Sequence, residues 1–203
     1  AVAHGVELEQ LSPGGGFGIA YVDTDRPLSP EVWAELIGDA VRAGCAEREL
    51  PLPVVIVEPG RAISGPAGVA VYRVGSRKAL PGVRTYVSVD GGMADNIRPT
   101  LYDAVYSAAL ANREGGDGWE IVTIAGKYCE SGDLLIEDID LPALERGDLL
   151  AIPAAGAYCL AMASNYNMAP RPAVALVREG KTRLMRRRET YVDLMRMDVR
   201  AGE

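Results

Sequence analysis

"LPVVIVEPG" (52–60) begins as an apolar, β-branched run and ends on a carboxylate, a proline and a glycine. A continuous run of this kind predicts a strand buried on both faces, as in a parallel sheet. Upstream, "SPEVWAELIGDAVRAGCAEREL" (29–50) places Val32, Leu36, Ile37, Ala40 and Val41 on one helical stripe. Ser29 is positioned to cap that helix, and Pro30 suits its first turn. Before it, "GVELEQLS" (5–12) predicts a strand and "PGGGFG" (13–18) a glycine loop. Strand, loop, helix and strand make a βαβ unit. One such unit cannot cover its second strand alone, and a complete (β/α)8 barrel takes roughly 250 residues. The stretch therefore reads as the last strands of a TIM-type barrel whose beginning lies outside the chain. The leading residue is Ala1 rather than methionine, which predicts a processed chain or a piece of a longer one.

From about residue 68 the pattern changes. "GVAVYRVGSR", "TYVSVDGG", "EIVTIAGKY", "GDLLAIPAAGAY" and "AVALVREGKTRLM" are short β-rich runs divided by Gly, Pro or Asp turns. The last predicts a hairpin turning near Glu179–Gly180. Helices are expected over 99–112 and 187–198. The fold class expected is thus an α/β barrel remnant, residues 1–67, followed by a mainly-β barrel or sandwich with inserted helices, residues 68–203.

The 203 residues can bury a sizeable core, with 48% hydrophobic and 24% charged residues. The net charge of −7 argues against nucleic acid as the main partner. The basic cluster "TRLMRRRET" (182–190) reads as a solvated junction between strand and helix. No stretch reaches the roughly 18–20 apolar residues of a membrane span, and the first residues show no signal peptide. Three cysteines, Cys45, Cys129 and Cys159, lack framework spacing, so free thiols in a reducing cytoplasm are expected.

Several stretches could carry chemistry. "GGGFG" lets backbone N–H groups approach a phosphate, or is a plain glycine turn. "VEPGR" (57–61) places Glu58 and Arg61 at the mouth of a barrel, where such folds keep their sites; Glu58 is otherwise a structural ion-pair partner. Glycine-bearing loops on successive parallel strands resemble a split phosphate site. In "DGGMADNIRPTLYDAVY" (90–106), Arg98 and Tyr102 stand at i, i+4 and suit a carboxylate-bearing ligand, or form a surface contact. "GKYCESGD" (126–133) sets Cys129 beside Glu130, as packing or as a reactive thiol. Tyr158, Asn165, Tyr166 and Asn167 crowd the polar stretch 154–172, which is otherwise plain loop polarity. "LSP" ahead of the glycines is more polar than a barrel strand calls for. No metal-ligating cluster is expected.

Taken together, "GGGFGIAY", "VVIVEPGRAISGPAG", "YVSVDGGMADNIRPTLYDA", "AGKYCESGDLL", "GDLLAIPAAGAYCLAMASNYNMAPRPA" and "RRETYVDLM" resemble the fold-type III pyridoxal-phosphate decarboxylases, in the branch that acts on diaminopimelate. They run in family order over nearly the whole chain. The resemblance implies pyridoxal 5'-phosphate as cofactor and meso-diaminopimelate as substrate, converted to L-lysine and CO2. It implies that Gly16 and the backbone of Gly60 and Arg61 hold the cofactor phosphate, that Pro59 lies in the same cofactor-binding loop, and that Glu58 faces the pyridine nitrogen. Arg61, Arg98 and Tyr102 would grip the distal carboxylate, and Tyr158 would touch cofactor and substrate. Cys129 and Glu130 would reach across a homodimer interface into the neighbour's site, Cys129 as acid and Glu130 on the distal amino group. A thiol suits the role, since an ordinary pKa of about 8.5 leaves it protonated yet able to give up the proton. The family's Schiff-base lysine and ring-stacking histidine have no counterpart here. The lysines are Lys78, Lys127 and Lys181, and His4 matches no family motif. The chain alone is therefore expected to be inactive. A decarboxylase for another amino acid or polyamine precursor, and a non-catalytic binding or regulatory domain, are the alternatives.

Overall fold

A computed structural model describes residues 4–5, 7–116 and 118–199. The amino-terminal unit is strand, helix, strand. Strand β1 (Gln10–Gly14) runs parallel to β2 (Val54–Val57), with Leu11 opposite Val55 and Gly14 opposite Val57. β1 thus lies later than the 5–12 expected, and includes the first glycine of the loop; Val6 is outside the described residues. Helix α1 (Pro30–Glu47) joins the two strands. The Ser29 hydroxyl accepts from Val32 N at 3.4 Å, the cap its sequence called for. The helix stops short of residue 50 because Glu49 takes a left-handed φ of 53°.

Burial in this unit departs from expectation. All four β2 residues are exposed, from 36% at Val55 to 64% at Val54, and α1 has no buried residue. The physical reason is that β2 has one neighbour, β1, in a two-stranded sheet. Burial on both faces needs further strands and helices. Phe17 is the exception, 5% exposed against Trp33 of α1 at 5.9 Å between rings.

After the short helix α2 (Gly60–Ser64) the chain builds a six-stranded sheet. Its strands are β3 (Ala70–Leu80), β4 (Arg84–Val89), β5 (Ala109–Leu110), β6 (Trp119–Ala125), β7 (Leu134–Pro142) and β8 (Leu149–Ile152). Their order is β5-β8-β3-β4-β6-β7, and every pairing is antiparallel except β4 with β6. The end strands β5 and β7 approach each other, so the sheet curls almost into a barrel. Val87, Val122, Ile124, Leu150 and Ile152 fill its interior.

Two features of this sheet differ from the sequence reading. Strand β7 is absent from the expected runs, because Glu137, Asp138 and Asp140 mask its pattern. Those acids face outward, with Arg84 of β4 holding Glu137 and Asp138 at 2.9 Å each, while Leu135 and Leu141 fill the core. The helix expected over 99–112 is only α3 (Arg98–Tyr102). Asp103 turns left-handed at φ 51°, and the chain then runs extended into β5. Tertiary contacts override helix propensity there: Tyr106 is 2% exposed in the core, and Ser107 N donates to Tyr21 O at 3.2 Å.

Strands β9 (Val174–Arg178) and β10 (Lys181–Arg186) form a separate antiparallel hairpin. Its turn, Glu179 and Gly180, has φ of 52° and 72°, the two positive values a tight hairpin requires. The helix expected over 187–198 begins late, as α4 (Tyr191–Leu194) running into a 3-10 turn, Met195–Met197. Thr190 and Asp193 form a reciprocal capping box, and Arg187 pairs with Asp193. Among the described residues no helix is long and apolar enough to cross a membrane.

Candidate active site

Three groups of residues are assembled, each from more than one element. The first lies at the carboxyl ends of β1 and β2. Glu58 N donates to Gly14 O at 3.0 Å, joining the two loops, and Gly60 N to Glu58 O at 2.9 Å, tightening the second. A side chain at Gly15 would meet Glu58 O at 2.5 Å, so only glycine allows this approach. Gly16 holds a φ of 86°. Among the described residues no protein acceptor meets the N–H groups of Gly16, Phe17 or Gly18, which leaves backbone donors for an anion such as a phosphate. The Glu58 carboxylate accepts from the Ser12 hydroxyl at 2.9 Å, and Ser12 Oγ also accepts from Gly14 N at 3.2 Å. That accounts for the polar "LSP": Ser12 is a partner for Glu58. Pro59 caps α2, and Arg61 on α2 lies over the Tyr158 ring at 5.2 Å.

Tyr158 reaches Arg61 because two chain segments cross at glycines. Gly156 N donates to Gly65 O, and Ala155 N to Gly68 O. A side chain at Gly68 would lie 2.4 Å from Gly156 Cα. Tyr158 itself is held at φ 62° and is 45% exposed. Gly16, Glu58, Pro59, Gly60, Arg61 and Tyr158 are thus neighbours in this one set of linked loops.

The second group centres on Arg98, 8% exposed at the start of α3. Its Nη1 donates to Tyr106 Oη at 2.6 Å, and its guanidinium lies 4.8 Å from the Tyr21 ring and 5.7 Å from that of Tyr106. Among the described residues no carboxylate pairs with it. A buried guanidinium without a carboxylate has donors to offer an anionic ligand. Burial pushes the Tyr106 phenol up to about 12, and the nearby Cys159 thiol upward too. Tyr106 is therefore a neutral hydroxyl partner at ordinary pH. Tyr102 is 59% exposed, and its hydroxyl makes no hydrogen bond to Arg98. Arg98 thus relies on Tyr21 and Tyr106, which the i, i+4 spacing does not reveal.

The third group is the loop 126–133. Asp133, 3% exposed, accepts from Met93 N at 2.6 Å and Tyr128 N at 2.8 Å. Its carboxylate fills the space where side chains on Gly92 or Gly126 would stand. Burial pushes its pKa up, against the lowering effect of the two N–H bonds. Thr100 Oγ1 donates to Gly132 O at 2.8 Å, tying the loop to the helix that carries Arg98. Cys129 is free and exposed. Its N–H donates to Asn167 Oδ1 at 3.1 Å. Glu130 accepts from Tyr166 Oη at 3.3 Å and from Gly132 N and Ser131 Oγ, bonds that hold its pKa down, that to Gly132 foremost. The stretch 154–172 therefore carries partners for the cysteine loop. Among the described residues no bond joins Cys129 or Glu130 to Glu58, Arg61 or Tyr158.

Residues 20–156 match the family described as "Pyridoxal-dependent decarboxylase, C-terminal sheet domain". The chain is 50% identical over 197 residues to diaminopimelate decarboxylase of Synechocystis sp., covering 97% of this chain and 42% of that protein. It is 52% identical over 189 residues to the enzyme of the same name from Bacillus subtilis, covering 93% and 43%. A crystal structure of diaminopimelate decarboxylase from M. jannaschii in complex with L-lysine superposes with a TM-score of 0.90 at 35% identity, over 98% of this chain and 44% of that one. The chain thus spans less than half the length of these relatives. The match over residues 20–156 and the superposition agree, and the chain belongs to the pyridoxal-dependent decarboxylase family.

Proposed function

We propose that the protein carrying this chain is a pyridoxal-phosphate decarboxylase that converts meso-2,6-diaminopimelate to L-lysine and CO2. Relatives of that name, about half identical over nearly the whole chain, support the reading. The observation that carries it is Arg98, a buried cation with two aromatic supports and no carboxylate of its own. A substrate with a second carboxylate far from the reacting carbon supplies the missing partner.

Residues 1–67 are the terminal βα units of a barrel, and residues 68–203 a sheet domain. The exposed apolar faces of β2 and α1 are what the rest of that barrel covers. The residues present fit the cofactor. The N–H groups of the Gly16 loop and the backbone N–H groups of Gly60 and Arg61, at the turn that Pro59 shapes, hold its phosphate, and Glu58, steadied by Ser12, meets its ring nitrogen. When bound, the cofactor accepts the electrons released as CO2 leaves. Arg61, Arg98 and Tyr102 hold the distal carboxylate, with Tyr158 beside them. Cys129 and Glu130 serve the site of a second copy in a homodimer. Glu130, ionised across the neutral range, pairs with the distal ammonium. Cys129 Sγ delivers a proton to the carbon that lost CO2. The Schiff-base lysine comes from the part of the protein outside this chain.

Arg98→Ala in the full-length protein is expected to raise KM for diaminopimelate about 100-fold, the loss of a charge-assisted bidentate contact. Unchanged turnover of diaminopimelate would overturn the substrate assignment. Turnover of a monocarboxylic diamino acid equal to that of diaminopimelate would point to another member of the family.

A further inference from the structure

Asn167 stands in a turn built against its own backbone preferences. Asn167 and Met168 both take left-handed conformations, φ 52° and 56°, in succession. Asparagine tolerates that region better than most residues, methionine poorly. Such a turn persists only where its surroundings hold it. Here two short backbone bonds close it, Met168 N to Asn165 O at 2.8 Å and Ala169 N to Tyr166 O at 3.2 Å.

Asn165 anchors the turn from behind. Its Nδ2 donates to Ala169 O at 3.0 Å and to Glu189 Oε2 at 2.7 Å. Glu189 in turn accepts from Arg171 N at 2.9 Å and forms ion pairs with Arg171 and Arg186. Arg186 ends β10, so the basic cluster after the hairpin is, in part, the far end of this chain of contacts. At the near end the turn meets the cysteine loop twice. Asn167 Oδ1 takes the Cys129 N–H, and Tyr166 reaches Glu130 while its ring packs edge-on against Tyr128 at 6.0 Å.

The Cys129 N–H bond fixes the backbone from which the thiol projects. Asp133 pins the loop at Tyr128, on the residue before; Asn167 pins it at Cys129 itself. We propose that Asn167 is a positioning residue for Cys129, aiming the thiol through the backbone N–H, and that Glu189 holds the Asn167 turn in place through Asn165. The proposal rests on the reading of Cys129 as the proton donor.

The test uses the full-length protein with three substitutions and two readouts: residue-resolved hydrogen exchange at the Cys129 amide, and steady-state lysine production. Asn167→Gly keeps the left-handed backbone and removes the acceptor. It is expected to speed exchange of the Cys129 amide about fivefold and to lower kcat about tenfold, with KM for diaminopimelate within about twofold. Asn167→Asp keeps an acceptor in a residue that tolerates the same backbone, and is expected to restore both. Asn165→Ala leaves the acceptor in place but cuts the link to Glu189. It is expected to shift both readouts the same way by a smaller factor, and serves if Asn167→Gly does not fold. Exchange and kcat unchanged in Asn167→Gly, or Asn167→Asp behaving like Asn167→Gly, would overturn the proposal. Cys129→Ala run alongside separates the two failures. Undiminished turnover there would sink the proton-donor reading, whereas a loss there beside a normal Asn167→Gly would sink the positioning alone.

Discussion

Strand β2 of the amino-terminal unit and strand β6 of the six-stranded sheet carry similar apolar runs and end up in different states. "VVIV" in β2 and "IVTI" in β6 are nearly the same words. Ile124 of β6 is fully buried, whereas Ile56 of β2 is 41% exposed. The difference lies in neighbours rather than residues: β6 sits between β4 and β7, and β2 has β1 alone. An apolar run therefore states a demand for burial, and the structure shows whether this chain can meet it. The sheet meets it on its inner face, where Val122 and Ile124 are fully buried while Ile121 on the outer face is 65% exposed; β2 meets it on neither.

The largest effect that could break this contrast is a core deletion. Ile124→Ala is expected to cost about 2–5 kcal/mol in chemical denaturation of the chain, against less than about 1 kcal/mol for Ile56→Ala. If Ile56→Ala in the full-length protein then costs several-fold more than in the chain, the missing neighbours are the cause. Equal costs in both would refute the barrel-remnant reading.

The ion pairs give the next test. Asp148, 5% exposed, accepts from Arg113 at 2.7 Å and from Glu145 N, fastening the β5–β8 edge. The Arg113 hydrogen bond is the main reason its pKa falls from 3.8 to about 2. A lowered carboxylate pKa stabilises the fold fully above the unfolded value and loses that contribution as pH falls through the folded one. Asp148→Asn is therefore expected to lose about 2 kcal/mol at pH 7. Melting curves of parent and variant should converge between about pH 4 and pH 2; a constant gap would remove Arg113 as the cause. On α1, the Arg42–Asp39 pair is exposed on both sides. Asp39→Asn is expected to move stability by less than about 0.5 kcal/mol.

The last test sharpens the site. Ser12→Ala removes the partner of Glu58 and is expected to weaken cofactor binding by the full-length protein about fivefold, read by titration of cofactor absorbance. No change would mean that Glu58 is steadied by something other than Ser12.

The sequence made some of this legible. Ser29 capping α1, the Glu179–Gly180 turn and the glycine loops follow from local chemistry, and local chemistry is visible in a run of residues. Strand β7 was hidden because its acids are matched across the sheet by Arg84, a partner 53 residues from Glu137. Helix α3 was overextended because the pull of Tyr106 into the core is a long-range effect. At the site, Cys129, Glu130 and Arg98 stood out as residues. Of their supports, Asn167 showed only as one of several polar residues in the stretch 154–172, and Asp133 and Tyr106 did not show at all, since ordinary polar and aromatic residues gain those roles only by contact. Ser12 was the exception, visible as a polar residue where an apolar strand was expected.

The parallel pairing of β4 with β6 obliges the chain to travel back between them, and the part of that return path before β5 carries Arg98 and Tyr102. Strand register is set by β4 and β6 themselves, not by the path that joins them. Changes at Arg98 and Tyr102, which the sheet's hydrogen bonds do not use, can therefore leave that frame intact. On the proposed function, such an arrangement separates the residues that choose the ligand from those that fold the sheet.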